Sequence, residues 1–123
     1  MSVTRFAVAA LAVGLLSAPA MAADAEAGAK VFKTQCAVCH SPVAGKNMVG
    51  PSLFGVVGRV AGSAPGFKYS AANKGSGVTW DEANLDKYLP NPRAFIAGTT
   101  MTYAGLKNDA QRADLIAYLA TLK

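Results

Sequence analysis

Apolar positions recur at helical spacing in three stretches of this chain and lose that periodicity between them. In the last stretch Leu115, Tyr118, Leu119 and Leu122 fall at i, i+3, i+4 and i+7, the stripe of a helix with one buried face. Asn108 or Asp109 can cap that helix, which is expected to end near Leu122. In the first stretch Gly28, Phe32 and Gln35 share a face, and Asp24 and Glu26 suit the positive end of a helix dipole. A helix over 24–38 is expected there. Gly28 inside it costs about 1 kcal/mol against alanine. Either another helix crosses close by or the first turn is frayed. In the third stretch Thr79-Trp80-Asp81-Glu82 reads as a capping box with Thr79 at the N-cap. Its helix should run to about Leu89, with Leu85, Tyr88 and Leu89 as the apolar face, and stop at Pro90 and Pro92.

Between these stretches the pattern breaks down. Residues 41–78 carry Pro42, Gly45, Gly50-Pro51, Gly55, Gly58, Gly62, Pro65-Gly66, Gly75 and Gly77, and allow at most one short helical turn at Ser70 to Asn73. Residues 91–107 form a second glycine-containing loop. No repeat and no strand–helix–strand alternation is present, so the fold class is all-α: three main helices joined by short turns and long loops. So long an irregular stretch is out of place in a compact domain unless something other than protein orders it.

The chain has 123 residues, and residues 1–22 read as a secretory leader. Arg5 supplies the basic start, Phe6 to Leu16 is an apolar run, and Ala20-Met21-Ala22 matches a small-x-small cleavage site. As a membrane anchor the run is too short, because a spanning helix needs roughly 17–25 residues. Cleavage leaves 23–123 as one domain of modest core. It also removes Arg5, which lowers the net charge from +5 to +4. No basic run points to nucleic acid, so the charge is either a weak steering field toward an acidic partner or an ordinary solvated surface.

The chemistry is concentrated in Cys36-Ala37-Val38-Cys39-His40, which holds both cysteines and the only histidine of the chain. Four uses compete. A zinc site wants four ligands, usually in two separated pairs, and two Cys with one His fall short. A redox dithiol expects a βαβ setting that is missing. A disulfide closing so short a loop adds little stability. The fourth is covalent haem, for which C-x-x-C-H is the attachment signature. On a helix i, i+3 and i+4 lie on one face. Two thiols can then add to the vinyl groups along one side of a porphyrin, with the His40 imidazole beneath the iron. Such a cofactor would order the irregular middle and staple the domain.

The opposite face of that iron needs a second ligand or stays open. No second His exists. The mature chain has two methionines, Met48 and Met101. Met48 lies eight residues from His40 and would have to round the porphyrin edge, so a gap-filling role fits it better. Met101 sits in a loop where Gly98 and Gly105 allow tight turns, and is the expected ligand. His/Met ligation raises the reduction potential and fills the iron, which favours electron transfer over oxygen or peroxide chemistry.

Taken together these residues resemble class I cytochrome c, of the mitochondrial kind and its bacterial relatives. The pieces that carry the likeness are Gly28 and Phe32, C-A-V-C-H at 36–40, G-P-S-L-F-G-V-V-G-R at 50–59, P-G-F-K-Y-S at 65–70 and A-N-K at 72–74. They continue with G-V-T-W at 77–80, Y-L-P-N-P at 88–92, G-T-T-M at 98–101 and D-L-I-A-Y-L at 114–119. The resemblance implies the cytochrome c fold wrapped round one covalent haem c, with roles by position. Cys36 and Cys39 would form thioethers, and His40 and Met101 would bind the iron. Pro51 would accept the His40 Nδ1 proton. Arg59, Tyr69 and Trp80 would hold a propionate, with Asn73 in a nearby polar network. Thr99 would support the propionate and loop, Tyr88 would place its hydroxyl near the Met101 sulfur, and Tyr103 would cover the exposed edge. Gly28 and Phe32 would meet Leu115 and Tyr118 where the terminal helices cross. Apart from the resemblance, Trp80, Tyr69 and Tyr88 read as core aromatics and Arg59 as a surface charge.

The chain also departs from the mitochondrial pattern. The loop from His40 to Pro51 is one residue shorter. Phe54 stands where that pattern has a loop-bridging His, so that bridge is expected to be lost. Gln35, Met48, Ala94, Thr100 and Asn108 occupy positions commonly basic there, which thins the lysine ring and leaves Arg93 and Lys107. The expected function is a periplasmic one-electron carrier, not an enzyme. It should be monomeric, docking redox partners at the haem edge, without nucleic acid or stable membrane insertion after cleavage. Two rivals remain: a haem-based ligand sensor or weak peroxidase, and a subunit of a larger dehydrogenase or oxidase complex.

Overall fold

The computed structural model describes residues 22–123, together with Gly14; the rest of the expected leader lies outside the described residues. Five helices follow one another: α1 (Ala25–Gln35), α2 (Ala71–Lys74), α3 (Glu82–Tyr88), α4 (Pro92–Phe95) and α5 (Asp109–Ala120). Among the described residues the only extended pairing is one isolated antiparallel bridge, Val60 to Thr79. The all-α class stands, with three longer helices and two single turns.

The terminal helices make the main packing contact. Asp24 caps α1, its carboxylate accepting from the Glu26 and Ala27 amides, while its own N–H donates to Asp114 on α5 at 2.8 Å. Gly28 then has its physical reason. A Cβ on it would stand 1.9 Å from the Asp114 carbonyl oxygen and 2.8 Å from the Tyr118 Cβ. Only a residue without a side chain lets the two backbones approach so closely. One turn on, Phe32 meets Tyr118 with ring centroids 5.5 Å apart. Leu115 and Leu119 of the α5 stripe are buried, whereas Tyr118 and Leu122 are partly exposed.

Three boundaries differ from the sequence expectation. The first helix stops at Gln35 rather than near 38, because Cys36 leaves helical geometry at φ −121°. The third is capped by Asp81, not Thr79: the Asp81 carboxylate accepts from the Asn84 amide at 2.7 Å. Thr79 is held instead in the extended pairing with Val60, flanked by Ala61 N–H to Val78 O and Trp80 N–H to Arg59 O. Two residues before the N-cap, its hydroxyl is too far back to cap. Third, Pro92 opens a turn as well as closing one. With Asn91 as N-cap it sits in the first turn of α4, where its missing N–H costs nothing.

The sequence expectation also missed a buried cation. Arg112 on α5 is 9% exposed. It donates to Asp86 of α3 and to Asp109, both at 2.7 Å, and to the Leu106 carbonyl at 3.2 Å. These bonds fasten α3 and the start of α5 to the end of the loop that carries Met101.

Candidate cofactor site

The segment Cys36 to His40 is a tight turn rather than a continuation of α1. Ala37 N–H reaches back to the Phe32 carbonyl, and Cys39 and His40 N–H both donate to the Cys36 carbonyl, at 3.0 and 2.9 Å. That single turn keeps the i, i+3, i+4 relation after the helix has ended. Cys36, Cys39 and His40 accordingly line one cavity.

His40 is fixed from both sides. Its Nδ1 lies 2.7 Å from the Pro51 carbonyl oxygen. A carbonyl only accepts, so Nδ1 carries the proton and Nε2 keeps its lone pair. Gly50 packs against the ring, and a Cβ there would lie 2.3 Å from Cε1. Burial lowers the His40 pKa, with Arg59 acting in the same direction and the Pro51 bond opposing. The neutral imidazole, the form that binds metals, is therefore favoured.

Met101 lines the same cavity, from the loop between α4 and α5. Its amide donates to Thr99 Oγ1 at 3.3 Å, and the Tyr88 hydroxyl donates to its sulfur at 3.4 Å. Burial raises the Tyr88 pKa, with a hydrogen bond to Thr99 opposing, so the phenol keeps its proton. The loop turns through Gly98 and Gly105, both at positive φ, and a Cβ on Gly105 would overlap the Pro90 carbonyl. Met48 is 43% exposed and does not line the cavity.

The walls divide by chemistry. Leu53, Val56, Leu85, Leu89, Leu115 and Leu119 give an apolar side, and Trp80 packs on Tyr88 at 4.6 Å between centroids. Arg59, Tyr69, Ser70 and Asn73 lie at polar positions of the same lining. Arg59 is partly buried, yet it donates only to the Ser52 and Phe54 carbonyls, at 2.9 and 3.4 Å. Both ion pairs among the described residues belong to Arg112, leaving Arg59 without a carboxylate. Burial pulls its pKa down from the ordinary arginine value, Tyr69 opposing, but a guanidinium stays charged in proteins. The Asn73 Oδ1 is buried with no hydrogen-bond partner. A partly buried unpaired cation and an unsatisfied amide in one lining are costly unless something polar meets them. A flat apolar ring with anionic substituents at one edge, the chemistry of haem, fits this lining.

All twelve residues singled out from the sequence line this one cavity: Cys36, Cys39, His40, Pro51, Arg59, Tyr69, Asn73, Trp80, Tyr88, Thr99, Met101 and Tyr103. Tyr69 donates its hydroxyl to no carboxylate; the oxygen accepts from the Ala64 amide at 3.0 Å. The competing uses of the cysteines fare poorly. Burial, followed by the charge of Cys39, pushes the Cys36 thiol up to about 11. A dithiol oxidoreductase needs the opposite shift. No group of three or more His, Cys, Asp or Glu suited to a metal ion occurs among the described residues.

Phe54 has no side-chain donor or acceptor with which to bridge loops, and a loop bridge is made elsewhere, by Asn47. Its Nδ2 donates to the Pro65 carbonyl at 3.0 Å, and its Oδ1 accepts from the Ser52 amide at 3.0 Å. An amide offers one donor and one acceptor, which is what bridging a carbonyl to an N–H requires. Gln35 was also passed over as a site residue, although it lines the cavity and accepts from the Tyr103 hydroxyl at 2.9 Å. The sequence reading put Gln35 on the face of the first helix with Gly28 and Phe32 and among the positions commonly basic in the mitochondrial pattern, and gave Asn47 no role. Their partners lie 18 and 68 residues away.

Comparison with known proteins gives the family. Residues 25–123 match the family model for cytochrome c. Cytochrome c2 of Rhodomicrobium vannielii is 58% identical over 108 residues, covering 85% of this chain and 85% of that protein. Cytochrome c of Chlamydomonas reinhardtii is 52% identical, covering 83% of this chain and 92% of that one. Among solved structures, cytochrome cH from Methylobacterium extorquens is 45% identical with a TM-score of 0.75, covering 80% of this chain and 98% of that one. A C-x-x-C-H turn lining a largely apolar cavity with one arginine in its wall and a family match over residues 25–123 lead to one conclusion: the chain belongs to the cytochrome c family, as a class I cytochrome c whose cofactor is covalent haem c and whose trade is electrons.

Proposed function

We propose that this haem-based electron carrier works in the periplasm with His40 and Met101 as its axial ligands and Cys36 and Cys39 as its thioether anchors. The observation that carries the reading is the pairing of two prepared donors in one cavity. His40 is neutral with Nε2 free, and Met101 has its sulfur held by Tyr88. Bound haem supplies an iron that gains or loses one electron. The chain's own residues hold that iron at constant coordination. Pro51 and Gly50 fix the imidazole, while Thr99 and Tyr88 hold the Met101 loop. Arg59 and Asn73 offer charge and hydrogen bonds to the propionates, Tyr69 and Trp80 complete that wall, and Tyr103 covers the edge. Ligands that stay in place keep reorganisation small, which suits a shuttle and leaves no position for oxygen or peroxide.

Partners are proposed to dock at the cavity mouth, in small interfaces of the kind weak redox encounters use. Val38 and Val49 are 82% and 78% exposed, and Val49 lines the mouth. With few lysines around it, this surface favours apolar contact and a shallow salt dependence. No helix among the described residues is long and apolar enough to cross a membrane. The leader-like residues 1–22 support export. The test is spectroscopic. Ferric protein at neutral pH should show the weak far-red band of an iron–thioether bond, Met101→Ala should abolish it and lower the potential, and Met48→Ala should leave it. Loss of the band in Met48→Ala instead would reassign the ligand, and its absence in the wild type would favour the ligand-sensor reading.

A further inference from the structure

The loop that carries Met101 is pinned firmly at its ends and at one point between. Before Met101, Thr99 N–H donates to the Ile96 carbonyl and its hydroxyl accepts from the Met101 amide. After it, Leu106 N–H donates to the Leu89 carbonyl at 2.8 Å, and the Lys107 ammonium bonds the Pro90 carbonyl. Residues 102–105 lie between these anchors. Among the described residues, the only hydrogen bond they make outside their own loop runs from the Tyr103 hydroxyl to Gln35 Oε1, at 2.9 Å. Gln35 is the last residue of α1 and the neighbour of Cys36. Gln35 and Thr100 to Tyr103 line the same cavity from opposite strands of chain.

We propose that Gln35 and Tyr103 form a latch across the cavity mouth, and that Gln35 is a positioning residue for the sixth coordination position of the iron. The inference rests on the reading of Met101 as axial ligand. The physical argument is closure of a ring. With haem bound, Cys36 would be tied to the cofactor covalently, and Met101 would hold its iron only through a weak bond from the thioether sulfur. The Tyr103–Gln35 bond joins the two chain segments directly, two residues beyond Met101 and one before Cys36. For the sulfur to leave and a foreign ligand to enter, the 102–105 segment must swing outward, and that breaks the latch. The bond therefore adds its free energy to the barrier against small ligands. It discriminates between a closed electron carrier and a ligand-binding haem protein.

Titrating the ferric holoprotein with imidazole, which competes for the sixth position, tests this. A net hydrogen bond should be worth about two- to tenfold in apparent imidazole affinity. Gln35→Leu and Tyr103→Phe should each tighten binding by that factor. The double variant should gain no more than either single one, because both remove the same bond. Gln35→Glu keeps an acceptor for the tyrosine proton and should stay near wild type. Guanidinium midpoints of the three variants that lack the bond should fall only slightly and by the same amount, the worth of that one bond, while Gln35→Glu should match wild type. Amide hydrogen exchange at 102–105 should quicken in the two single variants. Wild-type imidazole affinity and exchange in both single variants would overturn the latch, as would additive gains in the double variant. Failure of the Met101 reading is seen separately, as a missing far-red band in wild-type protein. In that case faster exchange at 102–105 still supports the latch, and unchanged exchange overturns it.

Discussion

Gly50→Ala is the sharpest test of how the imidazole is held. Gly50 lies outside the left-handed region, so alanine meets no backbone penalty there and the substitution tests space alone. The added Cβ would stand 2.3 Å from His40 Cε1, 2.7 Å from Nδ1 and 2.8 Å from Nε2. Carbon atoms in contact sit at about 3.5–4.0 Å, so the ring must retreat by about 1.2 Å or more. A ring displaced that far does not keep a 2.7 Å bond to Pro51. Overpacking of this kind costs about 1–3 kcal/mol, and the lost hydrogen bond about 1 more, for a total of about 2–4 kcal/mol. For a domain of this size that lowers the guanidinium midpoint by roughly 0.5–1 M. The assay is a holoprotein denaturation curve followed by haem absorbance, with the midpoint potential measured alongside. Weakening the Nδ1–H donation makes the imidazole less basic and the ferric state less favoured, so the potential should rise. Gly75→Ala is the control. Gly75 is also outside the left-handed region, its nearest contact would be 3.2 Å, and it should stay within about 1 kcal/mol of wild type. A Gly50→Ala protein with wild-type stability, potential and spectrum would refute the idea that Gly50 and Pro51 hold the ring between them.

Other outcomes are equally specific. Cys36→Ser and Cys39→Ser should each leave haem held by a single thioether, seen as a red shift of the pyridine haemochrome band, and the double variant should release its haem to acid acetone; an unshifted band in both single variants, or haem retained by the double variant, would refute the attachment. Gly28→Ala should lose about 1–3 kcal/mol in a denaturation curve despite its better helix propensity, because its Cβ lands 1.9 Å from the Asp114 carbonyl. A gain in stability would show that the terminal helices can part freely. Arg112→Met removes a charge that is 11% exposed and leaves the Leu106 carbonyl short of a partner, at a cost of about 1–3 kcal/mol. Asp109→Asn should cost less than about 1 kcal/mol, since that carboxylate is 92% exposed. Comparable losses in the two variants would place the energy in the ion pair rather than in the buried hydrogen bonds.

Helix boundaries show where sequence reading reached its limit. Asn108 was legible as a cap because cap and capped amide lie three residues apart, and the structure has the Gln111 amide on its side chain. Thr79 was misread for a reason outside the local pattern: its backbone pairs with Val60, nineteen positions earlier, and the cap passes to Asp81. The Pro92 turn was missed because proline serves equally as a stop and as a first-turn residue, and only the Asn91 side chain on the Ala94 amide distinguishes them.

By itself the sequence determined whatever is local and covalent. Two thiols and an imidazole spaced three and one apart specify an attachment chemistry on any backbone that makes one tight turn there. Period-3.6 stripes specify which helices need a neighbour, and a glycine at position 28 announces that one of them comes very close. Tertiary structure decided everything that depends on how long loops travel. It buried Arg112 on a face that reads as solvent, gave Asn47 the bridge that Phe54 cannot make, and set Tyr103 against Gln35 across the cavity. Those contacts join groups between 18 and 68 residues apart, or bury a charge through neighbours on other elements. Their geometry follows from packing around a shared cavity, and no pattern of spacing along the chain encodes it.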